Sequence, residues 1–340
     1  MTIDFRSDTV TRPSKEMLNY MMEANVGDDV FGDDPTVNEL QDIAAKLFNK
    51  EAALFCPSGT MTNQIAIKIH TNTPGELICD ELSHIYKYEG GGIAFNSGLA
   101  TKLLKGDKGR ITAEMIEKEI NPNDIYFPPT QLVCLENTCN KGEGSYYNLE
   151  EIKKISLLCR EKKLKLHLDG ARIFNAIVES NYTAQEIGKE FDTISICLSK
   201  GLGAPIGSLL IGSNDDIKKA LRIRKLLGGG MRQVGYLAAA GIFALNNNVT
   251  RLKDDHKRAK TLAEELKNVN WIKAVSPVYT NILIVEILPE LDINNIIQKL
   301  NEIGVKTAAF GPQQIRFVTH LDITDEMLER TIEVIKKIKL

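Results

Sequence analysis

Between residues 52 and 211, short apolar runs alternate with segments of helical periodicity, and this constrains the possible folds of the 340-residue chain more than any other feature. Ala52–Cys56 reads as a strand, 60–70 as a helix and 132–135 as a strand. A helix over 149–162 follows, with strands at 165–169, 193–198 and 208–211. Such alternation predicts an α/β domain built on a mainly parallel sheet. Ahead of it, Asp34 and Pro35 mark a helix start, an acidic cap followed by proline at the first helical position. Val37, Leu40, Ile43, Ala44 and Leu47 then give that helix one apolar face. The segment 231–267 reads as one continuous helix leading out of this unit. A smaller α/β unit follows, with strands at 282–287 and 315–318 and helices at 293–303 and 325–339. The expected organisation is an N-terminal arm over 1–30, a large domain over 31–245 and a small C-terminal domain over 246–340.

Bulk properties remove several classes of function. A formal net charge of -3 is unlike that of a nucleic-acid binder, which needs concentrated Lys and Arg. Arg6, Asp8 and Arg12 interrupt any signal-peptide core. The longest apolar stretch, 236–245, is far short of the roughly 20 residues of a membrane span. A soluble, cytoplasmic protein is expected. Six cysteines (56, 79, 134, 139, 159 and 197) include one near pair, Cys134 and Cys139, but no second pair to complete a zinc site. Buried free thiols and no metal are expected. The acidic pairs at 28–29 and 33–34 sit among glycines and a proline, which points to turns and caps.

Five segments carry chemistry. In Leu198-Ser199-Lys200-Gly201-Leu202-Gly203 a lysine directly follows an apolar strand, where open α/β sheets bind ligands. Glycines beside it admit a bulky ring close to the backbone. By itself such a lysine reads as a solvated surface group. In Leu166-His167-Leu168-Asp169-Gly170-Ala171-Arg172 an aspartate ends the preceding strand, one helical crossover earlier. Pyridoxal phosphate (PLP) chemistry requires both groups: a lysine to hold the aldehyde as a Schiff base, and a carboxylate against the ring nitrogen so that the ring accepts electrons. Alone, Asp169 would read as a turn or cap; with Lys200 one strand away, the cofactor reading is stronger. Ser58, Gly59 and Thr60 lie between a strand and a helix, where backbone N–H groups and hydroxyls bind a phosphate. No lysine follows at nucleotide P-loop spacing. His84 can lie over the cofactor ring and carry a proton near neutral pH, or be a partly exposed structural histidine. Gly228-Gly229-Gly230 precedes a helix with Lys225 and Arg232 beside it. That segment is a flexible loop, or a turn that carries cations to a phosphate, including that of a neighbouring subunit.

Several longer segments occur in order across nearly the whole chain. They include Phe5-Arg6-Ser7-Asp8-Thr9-Val10-Thr11 and Gly27-Asp28-Asp29-Val30-Phe31-Gly32-Asp33-Asp34-Pro35-Thr36. Leu135-Glu136-Asn137-Thr138, Asp169-Gly170-Ala171-Arg172, Ser199-Lys200-Gly201-Leu202-Gly203, Gly229-Gly230-Met231-Arg232 and Val318-Thr319-His320-Leu321-Asp322 complete the set. With these segments the chain resembles the low-specificity L-threonine aldolases of the aspartate-aminotransferase-like superfamily. The resemblance implies a PLP-dependent transferase-like fold with a seven-stranded sheet. It implies that Lys200 binds the cofactor aldehyde, Asp169 pairs with the ring nitrogen and His84 stacks on the ring. Ser58, Gly59 and Thr60 would hold the phosphate, aided by Lys225 and Arg232 from another subunit. Ser7, Arg172 and Arg316 would hold the substrate carboxylate, a task suited to arginine's bidentate fork. A homotetramer, a dimer of dimers, is implied as well.

Two positions depart from the resemblance. Tyr126 and Cys139 stand where many relatives carry histidine. A free phenol titrates near 10 and imidazole near 6.5, so Tyr126 is a weak base, suited to hydrogen-bonding the substrate hydroxyl. The expected reaction is retro-aldol cleavage of L-threonine, L-allo-threonine and related β-hydroxy-α-amino acids to glycine and an aldehyde. His84, or a water it holds, would take the hydroxyl proton. The alternatives are β-elimination or transamination on the same fold, and a silent PLP-binding protein.

Overall fold

A computed structural model describes residues 2–338. A seven-stranded sheet runs in the order Ala52–Cys56, Ser208–Gly212, Thr193–Cys197, Lys165–Gly170, Thr130–Glu136, Glu76–Asp80, Ala100–Leu104. The last five of these strands are parallel, while Ser208–Gly212 runs antiparallel to both of its neighbours. All the strands expected from the apolar runs are present. Glu76–Asp80 and Ala100–Leu104 were not expected; Ala100–Leu104 is an edge strand, half-exposed over most of its length, so its apolar signal is weak.

Register places the ligand-binding edge. Glu136 pairs with Asp169, and Asp169 with Ser195, so the carboxyl ends of three adjacent strands lie level. The helix Gly59–His70 crosses the sheet at these strands. Leu166 and Leu168 pack into the main core, as their alternation requires. The other face of that strand, with His167 and Asp169, is also buried, because the Gly59–His70 helix covers it and supplies polar partners.

The segment 231–267 is not one helix but two, Gly235–Asn247 and Leu252–Leu266. The break follows Asn246-Asn247-Asn248, residues that compete with helical hydrogen bonding, and the Asn248 amide donates to the Leu202 carbonyl at 2.8 Å. Beyond it, a four-stranded antiparallel sheet runs in the order Ala308–Gly311, Gln314–Val318, Ile282–Ile287, Ile272–Val275. Ile293–Glu302 and Asp325–Lys336 pack with it; the expected last helix was longer, and residue 339 lies outside the described residues. Ile3 and Phe5 join Trp271, Leu283 and Phe317 in this second core, and Ile3–Asp4 pairs in parallel with Val305–Lys306. Lys15–Met22 packs on Gly235–Asn247, so the first residues of the chain are tied to both units. Among the described residues, no helix is long and apolar enough to cross a membrane.

Candidate active site

At the carboxyl edge of the large sheet lies a cavity of about 170 Å³, lined by Ser58, Gly59, Thr60, His84, Asp169 and Lys200 together with Thr9, Asn63 and Cys197. The strand Thr193–Cys197 delivers Lys200 three residues past its end, and Nζ lies 3.2 Å from the Cys197 sulfur. Asp169 ends the neighbouring strand and is almost fully buried; its Oδ1 accepts from the Ala171 N–H at 3.2 Å. Ser58 caps the helix Gly59–His70, its Oγ accepting from the Met61 N–H at 3.2 Å. The N–H groups of Gly59 and Thr60 thus belong to the first helical turn, which has no intrahelical acceptors. Gly59 is required by close approach, since a Cβ there would sit 2.7 Å from the Cys197 sulfur.

His84 begins a short helix, and its Nδ1 lies 2.9 Å from Glu89 Oε1. Its backbone N–H donates to Glu136 Oε2 at 2.8 Å. Burial works against the imidazolium. The bond to Glu89 and the charges of Asp169, Glu89 and Glu136 override it and raise the His84 pKa. Burial and the neighbouring Asp169 push Glu136 up to about 7. With Nδ1 engaged, Nε2 is the ring nitrogen left for a ligand. His84, Glu89 and Asp169 bring their ligand atoms within 4.8 Å of one another, and Asn63 donates to both carboxylates of the trio.

Two arginines lie near one another beside this edge. Arg172 meets the buried Asp8 through Nε at 2.8 Å and Nη2 at 2.7 Å, leaving Nη1 on its other edge. Burial alone would raise the Asp8 pKa, but the Arg172 guanidinium holds it down at about 2. Arg316 donates to Asn140 Oδ1 at 3.1 Å and to the Arg6 carbonyl at 2.9 Å. Burial and the positive charge of Arg172 both lower its pKa. Two guanidiniums with one carboxylate between them favour an anion at this point. Ser7 caps the adjacent turn, its Oγ accepting from the Thr9 N–H at 3.2 Å.

The remaining expected site residues lie elsewhere on the chain. Tyr126 is 85% exposed in a separate cleft with Asp124, Ile125 and Lys162. It precedes the strand Thr130–Glu136, whereas the cavity lies past that strand's end, a strand length of about 20 Å. Tyr126 therefore does not reach the cavity of its own chain. Lys225 is exposed, and Arg232, with a 62% exposed side chain, pairs with Asp28 at 2.9 Å. Neither lines the cavity. Asp29 pairs with Arg224 at 2.8 Å, and Asp34 caps its helix by accepting from the Val37 N–H at 3.0 Å. All six cysteines are free and buried. The sequence reading missed Asn63 and Glu89. Asn63 carried a usable signal: it lies four residues past Gly59, on the same helix face.

The donor set fits a phosphorylated pyridine aldehyde: an amine for the aldehyde, a buried carboxylate for a protonated ring nitrogen, and a helix N-terminus for the phosphate. Comparisons with known proteins point the same way. A family model described as beta-eliminating lyase matches residues 4–288. The chain is 45% identical to the low specificity L-threonine aldolase of Escherichia coli (strain K12) over 96% of each chain. It is 40% identical to low-specificity L-threonine aldolase 1 of Arabidopsis thaliana, covering 100% of this chain and 97% of the relative. Among solved structures, the threonine aldolase of Leishmania major superposes with a TM-score of 0.85 at 24% identity, covering 98% of both chains. A structure of SPT with PLP gives 0.76 at 16% identity, covering 99% of this chain and 87% of the other. These two likenesses show the fold.

Proposed function

We propose, from the premise that this chain belongs to the beta-eliminating lyase family, that it is a PLP-dependent aldolase. It cleaves L-threonine, L-allo-threonine and related β-hydroxy-α-amino acids to glycine and an aldehyde. The observation that carries this reading is the meeting of Lys200, Asp169, His84 and the N-terminus of the Gly59–His70 helix in one cavity. When bound, PLP supplies an electron sink for the pair released as the Cα–Cβ bond breaks. Lys200 would hold it through Nζ, Asp169 would face its ring nitrogen, and Ser58, Gly59 and Thr60 would hold its phosphate.

The rest of the work falls to side chains. Nη1 of Arg172, with Arg316 and Ser7 alongside, would bind the substrate carboxylate and so fix the orientation of the bonds at Cα. His84, oriented by Glu89, takes the β-hydroxyl proton at Nε2, directly or through a water it holds. A proton returned to Cα completes glycine, and the oxygen that lost its proton leaves as the aldehyde carbonyl. Lys225 and Arg232 are assigned to the phosphate of a neighbouring subunit, and Tyr126, if it meets substrate, also does so across a subunit boundary. A dimeric active unit follows from that assignment, and the family resemblance adds its assembly as a dimer of dimers. Six free buried thiols fit a reducing, cytoplasmic setting. The test is product identity: glycine plus aldehyde supports the aldolase, and a keto acid from the same substrates would replace it with elimination or transamination.

A further inference from the structure

A chain of buried polar side chains runs from the middle of the large sheet to the cavity, and its donor and acceptor roles are fixed by one amide. Asn63 Nδ2 lies 2.9 Å from Glu89 Oε1 and 3.0 Å from Asp169 Oδ2. Reversing that amide would set its oxygen against two carboxylate oxygens, so the nitrogen faces them and Oδ1 faces His167 Nε2 at 3.1 Å. An amide oxygen only accepts; Nε2 therefore carries the proton. His167 is fully buried, and that burial holds its pKa down at about 4, leaving the ring neutral with Nδ1 bare. The Thr193 hydroxyl, 2.9 Å away, donates to Nδ1 and in turn accepts from His70 Nε2 at 3.0 Å. The opposite tautomer would offer Nδ1–H to the Thr193 carbonyl at 3.2 Å, at the cost of turning the Asn63 oxygen onto both acids. Every donor in the chain thus points toward Asp169 and Glu89. Glu89 also accepts from Gln64 Nε2 at 2.7 Å.

We propose that Asn63, held in one orientation by the two carboxylates and by His167, is a positioning residue that fixes Asp169 and Glu89 side by side. The inference rests on the assignment above of Asp169 to the ring nitrogen and Glu89 to the back of His84. Without the shared amide these two acids, with Glu136 close by, would lose the donor that holds their oxygens together. The other titratable groups that face them are His84, Cys134 and His167, with Lys200 across the cavity. Asn63 thereby couples the cofactor's electron sink to the base that starts cleavage, although it touches neither the proton in transfer nor the bond that breaks.

The first test is nitrogen NMR of full-length protein labelled with ¹⁵N-histidine, with PLP added. The expected result is a neutral His167 with its proton on Nε2; a proton on Nδ1 overturns the inference. The second test is cofactor affinity, with the split of kcat against KM, for Asn63→Leu, which removes both donors. The variant is expected to bind PLP about ten- to a hundredfold more weakly and, with cofactor saturating, to lose kcat while KM stays near the wild-type value. Weaker PLP binding with kcat unchanged at saturating cofactor would mean a packing role only and overturn the inference. If that variant fails to fold, Thr193→Val keeps Asn63 and both carboxylate contacts; because the amide sets the tautomer, a proton still on Nε2 and near-native affinity are expected, and a proton moved to Nδ1 overturns it. Tautomer and affinity need no amino-acid substrate, so they read correctly even if the protein does not cleave L-threonine.

Discussion

At the scale of single residues, charge placement in a buried site outweighs charge count. Asp169 is almost wholly buried without a direct cationic partner, an arrangement costly for an isolated protein and suited to receiving a protonated ring. Asp169→Ala is expected to keep the fold and lower kcat by about a hundred- to a thousandfold, the usual range for one preorganised electrostatic group; steady-state kinetics with cofactor in excess checks it. Asp8 acts on stability as well. Its folded pKa of about 2 lies below the unfolded value near 3.9, so the Arg172 pair stabilises the protein above about pH 4 and is lost as pH falls toward 2. Urea denaturation should show Asp8→Asn about 2–3 kcal/mol less stable than wild type at neutral pH, with the gap closing over that acid window. A gap independent of pH would show that the pair is not its source.

At the scale of elements, the site is built from strand ends and one helix N-terminus, and this is why so much of it was legible. Lys200 and Asp169 are marked by the apolar runs that precede them, and Ser58-Gly59-Thr60 by its place between a strand and a helix. What sequence could not show is the inward polar face of the Lys165–Gly170 strand. Alternation says that His167 and Asp169 share a face; only packing by the Gly59–His70 helix makes that face dry and partnered by Asn63. Glu89 was hidden for a similar reason, since it follows a helix, His84–Lys87, too short to show a period. The helix expected over 231–267 failed on local chemistry, the three asparagines at 246–248. Tyr126 lies outside the cavity of its own chain, because a motif position carries no information about which end of a sheet it occupies. The helix N-terminus makes its own prediction. Gly59→Ala must push its Cβ against the Cys197 sulfur 2.7 Å away, so it should cost about 1–3 kcal/mol of stability. Calorimetry and a PLP titration should move together; a fully stable variant with native cofactor affinity would refute the close-approach account.

At the scale of the whole molecule, one chain supplies most of a site. Lys225 and Arg232 stand exposed outside the cavity, so the phosphate role proposed for them requires a second copy. Mixing Lys200→Ala protein with Arg232→Ala protein, after dissociation and reassembly, should restore part of the activity that each lacks alone; no recovery despite confirmed mixed oligomers would place each site within one chain. The central claim, aldol cleavage dependent on Lys200, is tested most directly by following aldehyde release from L-threonine and L-allo-threonine by the purified yellow protein beside its Lys200→Ala variant. The account predicts glycine and acetaldehyde from both substrates, with at least about a thousandfold loss and a changed absorbance in the variant. A yellow wild-type protein that releases no aldehyde from either, or a variant that retains turnover, would contradict it.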